Sequence, residues 1–223
     1  MRSLQELRDV AEPAWPALEE AMAKAATPTE ILPLDAATGE QALLRLQVTA
    51  GSALGALALH CGGVLVDHGW LRLLGGGSPP LGLVSANGLD EGPPSAPPPE
   101  LLVGVDVLGG RYSINGGSLP GDLGEVLYFA PDTLGWEPLG MGHGAFVGWC
   151  LSDSFGAFNE SLRWDAWEPE VAPLPFGMGL SVYPFPFTAE GRDLGAASRR
   201  PAPIVELLEL WPSLAAQIGP ADG

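Results

Sequence analysis

Between Leu101 and Leu151 the spacing of apolar residues changes period along the chain, and each change marks an element. Leu101, Val103, Val105 and Val107 recur at every second position, the period of a half-buried strand. Gly109–Gly110 supplies the positive φ of a tight reversal. Tyr112 and Ile114 then alternate with Arg111 and Ser113, and Asn115-Gly116-Gly117 ends the run. Glu125 to Ala130 predicts a third strand, stopped by Pro131-Asp132. From Gly144 to Leu151 the period becomes helical, with Phe146, Trp149 and Cys150 on one face.

The flanking segments carry weaker signals. Ser3-Leu4-Gln5-Glu6 fits a capping box, in which the serine hydroxyl and glutamate carboxylate satisfy free N–H groups at a helix start. A second helix begins near Pro16 and places Leu18 and Met22 on one side. Thr38-Gly39-Glu40-Gln41 opens a third through Leu46. The small apolar run Ser52–His60 reads as a strand, Cys61-Gly62-Gly63 as a turn and Val64–Val66 as a buried strand. Asp67 to Leu74 leans towards a short helix capped by Asp67 and ended by Gly75. Leu81 to Ala86 reads as a strand, and Ser85 to Glu100, rich in proline and acid, as a mobile loop. Phe155, Phe158 and Leu162 predict a helix beginning near Ser152 or Asp153. Pro169–Pro175 reads as irregular and Met178–Phe187 as a short or edge strand. A last helix carries Ile204, Leu207, Leu208 and Trp211 on one face. The tail 219–223 is expected to fray.

Composition narrows the function classes. Acidic residues outnumber basic ones 27 to 10, a formal charge of −17, which repels phosphate backbones and argues against nucleic acid and anionic membrane as partners. A basic protein effector is the complementary partner. No apolar run approaches a membrane span, and the first residues carry charge where a secretory signal would be apolar, so the expected compartment is the cytoplasm. Two cysteines, Cys61 and Cys150, are too few for a disulfide framework and are expected as buried thiols.

Candidate chemistry is sparse. His60-Cys61 and Asp67-His68 put four ligand-type side chains within nine residues, the raw material of a metal site or an activated thiol, though at no recognised metal spacing. Gly75-Gly76-Gly77 lacks the Gly-Lys-Ser/Thr ending of a phosphate loop. Asp106 falls on a strand, where it would be solvated, pair with Arg111 across the hairpin, or join Asp122, Glu125 and Asp132 around a cation. Of seven tryptophans, Trp70, Trp149 and Trp164 read as core, and Trp15, Trp136 and Trp167 as surface contacts. The residues that qualify as ligand or partner contacts are therefore His60, Asp67, His68, Trp70, Asp106, Arg111, Asp132, Trp136 and Trp167. No catalytic set, metal set or cofactor is indicated.

Five phrases carry a resemblance that covers nearly the whole chain: Gly63–Gly75, Leu108–Gly117, Gly124–Thr133, Leu162-Arg163-Trp164 and Arg199-Arg200-Pro201. They resemble an uncharacterised bacterial domain-of-unknown-function family, DUF2625-like, which brings no activity with it. A looser likeness, in element order alone, is to the SUKH superfamily of α+β domains that often act as immunity proteins against toxins. That likeness implies a non-enzymatic interaction protein. The alternative is a metal- or ligand-binding protein, or a hydrolase-like enzyme, built on His60, Cys61, Asp67 and His68.

Together these patterns predict a single α+β domain over residues 1–218. It would hold a mostly antiparallel sheet of five to six strands, with helices packed largely on one side and a mobile loop at 85–100.

Overall fold

The computed structural model describes residues 1–77, 81–92 and 96–219. Seven strands form one antiparallel sheet in chain order: β1 (Thr29–Leu32), β2 (Gly63–Val66), β3 (Leu71–Leu74), β4 (Glu100–Asp106), β5 (Arg111–Asn115), β6 (Glu125–Ala130) and β7 (Gly135–Gly142). A second, two-stranded sheet joins β8 (Met178–Tyr183) to β9 (Ser198–Pro203). The helices are α1 (Leu4–Arg8), α2 (Trp15–Ala23), α3 (Ala36–Leu46), α4 (Ala53–His60), α5 (His143–Cys150), α6 (Asp153–Phe158), α7 (Trp167–Val171) and α8 (Ile204–Ile218). The class is the expected mixed α and β; the strands number nine among the described residues rather than five or six.

The hairpin at the centre is the one the alternation predicts. Leu101 faces Ile114 and Leu102 faces Ser113, with a bulge between Leu102 and Gly104. Its Gly110 must be glycine, because a Cβ there would lie 2.0 Å from Asp106 Oδ2. Tyr112 stacks on Tyr128 at 4.6 Å between centroids, and Phe146 of α5 lies 5.2 Å from Tyr112. The hairpin thus forms the floor beneath the aromatic helix. The opposite face meets the second sheet: Arg72, pointing away from Leu71 and Leu73, is fully buried and donates to the carbonyls of Phe176 and Met178.

Three segments depart from the sequence reading. Ser52–His60 is a helix, not a strand; Ser52 Oγ accepts from Gly55 N at 3.0 Å as its N-cap. A short, uniformly apolar run has no period to separate helix from strand. Gly39 of α3 lets the two helices approach closely, since a Cβ there would lie 2.1 Å from the Leu59 carbonyl. Asp67–Leu74 is not a helix: Asp67, His68 and Gly69 all have positive φ and turn the chain directly into β3. Leu81–Ala86 is a turn leading into a 3-10 helix at Ser85–Asn87. Asn87 there bonds the β4 backbone through both amide atoms, to Leu102 O and from Leu102 N, and so fastens the start of the proline-rich segment. Residues 93–95 of that segment, and 220–223 of the tail, lie outside the described residues.

β1, β7, β9 and the short α7 were not legible. β1 lies between Pro28 and Pro33, β7 carries Pro138, and β9 carries Pro201 and Pro203. β1 and β7 are sheet edges, where proline is tolerated and blunts pairing with another chain.

Candidate functional site

The β2–β3 hairpin and the segment after α6 meet at one face. The turn is closed by Trp70 N donating to Asp67 O at 2.8 Å, with His68 (φ 54°) and Gly69 (φ 80°) at its centre. Both central φ angles are positive, as a two-residue type I′ hairpin requires. The turn directs the Asp67 carboxylate onto the Arg163 guanidinium, forming an ion pair whose side chains are 8% and 14% exposed. Arg163 packs against both indoles, its guanidinium carbon 4.9 Å from the Trp70 ring centroid and 4.3 Å from that of Trp167. Trp70 and Trp167 meet edge-on at 5.2 Å. The chain enters α7 through Ala166 in the left-handed region (φ 59°), so three non-glycine residues of this face, Asp67, His68 and Ala166, hold a backbone conformation that costs energy.

A second arginine fastens the base of the site. Arg199, on β9, lies 4.4 Å over the Trp164 ring and bonds Glu170 through two nitrogens, at 2.9 and 3.0 Å. Trp164 Nε1 also donates to Glu170 Oε1 at 3.0 Å. Hydrogen bonding by Arg199 holds the Glu170 carboxyl below its usual range. Each cation–π contact contributes about 0.5–2 kcal/mol, and loss of one partner from a largely buried pair such as Asp67–Arg163 costs roughly 3–5 kcal/mol.

Outside this stack is an open cleft of about 720 Å³, walled by Arg163, Trp164 and Trp167 and rimmed by Glu160 and Asp165. Glu168 is exposed beside it, with Oε2 at 3.7 Å from His68 Nε2. His68 packs edge-on against Trp167 at 5.9 Å. The Nε atoms of Arg163 and Trp70 are buried without a hydrogen-bond acceptor, so the stack is held by charge and π faces more than by bonds to the indole.

Of the residues singled out in sequence, Asp67, His68, Trp70 and Trp167 come together here. The others do not. His60 is exposed at the end of α4, stacked on Trp15 at 5.1 Å; partial burial lowers its imidazole. Cys61 is fully buried, its thiol donating to Leu57 O, and burial pushes its pKa up to about 12. β2 separates this pair from Asp67 and His68 by on the order of 13 Å of extended chain. Among the described residues, no group of three or more His, Cys, Asp or Glu side chains is placed to hold a metal. Cys150 is also buried, and both thiols are free.

Asp106 is not solvated and does not pair with Arg111. It is fully buried and accepts from Tyr128 OH (2.6 Å), Leu108 N (2.8 Å) and Gly110 N (2.9 Å), which closes the β4–β5 turn. Burial raises its carboxyl. Arg111 instead bonds Glu100 at 2.6 Å and lies 5.8 Å over the Trp136 ring. Asp132 lines a separate small cleft beside Arg192. Trp149 and Trp15 are half-buried, while Trp211, unassigned in sequence, is fully buried and donates to Leu108 O at 2.7 Å.

Sequence reasoning missed Arg163, Glu160, Asp165 and Glu168 as members of this face. The one available signal was the Leu162-Arg163-Trp164 phrase, which stood out as a family feature without a role. A family model described as a protein of unknown function, DUF2625, matches residues 4–207. The chain belongs to the DUF2625 family. It is 36% identical over 211 residues to YbfG, an uncharacterized protein of Escherichia coli strain K12, covering 95% of this chain and 94% of that protein. It is 33% identical over 177 residues to an uncharacterized protein of Haemophilus influenzae, covering 78% of each. No solved structure matches the chain. Among the described residues no helix is long and apolar enough to cross a membrane.

Proposed function

We propose that this DUF2625 member is a non-enzymatic interaction protein that receives a basic segment of a partner protein on the face formed by His68, Arg163, Trp167 and the carboxylates around them. The observation that carries the reading is the Asp67–Arg163 pair, whose guanidinium packs against both Trp70 and Trp167. It fixes a half-buried tryptophan beside three exposed carboxylates, Glu160, Asp165 and Glu168. Tryptophan and arginine dominate the energetics of protein interfaces, and a rigid aromatic loses little entropy on docking.

Arg163 is already neutralised by Asp67, so the open rim presents net negative charge. A lysine or arginine of the partner gains attraction from Glu160, Asp165 and Glu168 and apolar contact with Trp167. The −17 charge of the whole chain steers a basic partner towards this face and accelerates encounter at low salt. This agrees with the role implied by the SUKH likeness, an immunity protein opposing a basic effector domain, and with a cytoplasmic location.

The test is capture from extract of the native host, with the protein immobilised through its C-terminus. A partner is expected to be retained at about 50 mM salt and released near 500 mM, where the Debye length falls to about 4 Å and long-range attraction is screened. Trp167→Ala combined with Glu168→Gln is expected to weaken capture about 10-fold or more, and a melting curve taken alongside shows that the variant, which loses the Arg163–Trp167 contact, is still folded. Capture that survives this pair of substitutions overturns the assignment of the face.

A further inference from the structure

Away from that face the molecule holds another concavity, between the C-terminal end of α3, the start of α4, the β4–β5 hairpin, Leu89 and residues 96–98. Its volume is about 490 Å³, and its walls include Leu46, Val48, Leu54, Leu89, Leu101 and Ile114. Such a volume suits a ligand of roughly 15–20 non-hydrogen atoms. Among the described residues no charged side chain lines it, in a chain where 17% of residues are charged.

The two carboxamides at its edge are consumed by the protein. Asn115 Nδ2 donates to the carbonyls of Leu119, Gly121 and Asp122, and its Oδ1 accepts from Gly117 N and Leu119 N. Gln47 Oε1 accepts from Arg2 N, and its Nε2 donates to the carbonyls of Leu44 and Arg2. A ligand therefore meets a mostly apolar surface whose two side-chain carboxamides are already engaged with the protein, and an ionic group would be desolvated there without a charged partner.

We propose that this cavity is a binding site for a neutral, apolar small molecule. The site is independent of the proposed partner face: it shares no residue with it and rests on volume and lining chemistry rather than on charge. Leu46, Val48, Leu54, Leu101 and Ile114 are all half-exposed in the free protein, so an occupant removes apolar area from water on several sides at once. Leu101 and Ile114 face each other across the β4–β5 hairpin, which makes that part of the wall a fixed surface.

The experiment is a fluorescence titration with the uncharged probe N-phenyl-1-naphthylamine on the full chain, in parallel with the anionic 1-anilinonaphthalene-8-sulfonate. One saturable equivalent of the neutral probe is expected, with the anionic probe bound about 10-fold more weakly or worse. Val48→Trp, which fills the space, and Ile114→Lys, which places a charge in it, are each expected to weaken the neutral probe about 10-fold or more. Because both positions are half-exposed, melting curves report whether each variant folds, and either folded variant suffices. Trp167→Ala is expected to leave the titration unchanged. No saturable binding of the neutral probe, equal or tighter binding of the anionic one, or binding indifferent to a folded cavity variant overturns the proposal.

Discussion

The Asp67 carboxylate and the Arg163 guanidinium, 96 residues apart in the chain, meet as a hydrogen-bonded ion pair at the mouth of the cleft. The contact joins the β2–β3 turn to the segment that carries Trp164 and Trp167. Together with the Arg199–Glu170 pair at the base, it sets the geometry of the face.

Removing only one charge should be costly. Arg163→Met leaves a carboxylate that is 8% exposed without its partner and is expected to lower unfolding stability by about 3 kcal/mol or more. Asp67→Asn with Arg163→Met removes both charges and is expected to recover much of that loss. Urea unfolding followed by tryptophan fluorescence measures both. A double variant no more stable than Arg163→Met alone would show that the indole stack, and not the charge balance, sets the cost.

The two thiols should behave as core. Burial raises Cys61 to about 12 and Cys150 well above the ordinary thiol range, so neither carries a useful thiolate fraction at neutral pH. Iodoacetamide at pH 7.5 is expected to label neither in the folded protein and both in denaturant. Fast labelling of Cys61 in the native state would revive the reactive-cluster reading of His60, Cys61, Asp67 and His68.

Much of the architecture was written in local pattern, and much was not. The β4–β5 hairpin, β6 and α5 were legible because alternation and helical spacing are strong there and glycine pairs mark the ends. Asp67 and His68 were legible as candidates but assigned to the wrong cluster. Their neighbours in sequence, His60 and Cys61, suggested a metal or thiol site. The intervening β2 sets them apart, and the true partner, Arg163, sits 96 positions away. No spacing rule reaches that far. The positive φ at Asp67 and His68 was equally hidden, because Asp is also a favoured residue at helix starts. Edge strands with proline, β7 and β9, lack the β-branched alternation that marks a strand.

Acid should destabilise the protein through His143. Burial lowers this imidazole to about 4, against roughly 6.5 in the unfolded chain. Between these values the unfolded state binds the proton and the folded state does not. The stability from keeping the ring neutral is therefore fully present above pH 6.5 and declines as pH falls towards 4. His143→Phe, which keeps an aromatic ring beside Phe146, is expected to flatten this part of the stability–pH curve relative to the natural protein. Parallel curves for the two proteins would contradict it.

The buried carboxylate of Asp106 should act as a fastener of the β4–β5 turn. Asp106→Asn retains an acceptor for the Leu108 and Gly110 N–H groups and is expected to cost less than Asp106→Ala, which strands both donors and the Tyr128 hydroxyl at roughly 1–3 kcal/mol each. Thermal or urea unfolding gives the order. An alanine variant as stable as the asparagine one would remove Asp106 from that role.

The sharpest check on the partner face is photocrosslinking in living cells of the native host, with a benzophenone amino acid placed at Trp167 or, as a control on the edge strand β1, at the exposed Ile31. The account predicts one discrete adduct from position 167, with a basic protein, that disappears when Glu160, Asp165 and Glu168 are changed together to glutamine and asparagine equivalents. An equal adduct from position 31, or none from position 167 while the folded protein accumulates normally, would contradict it.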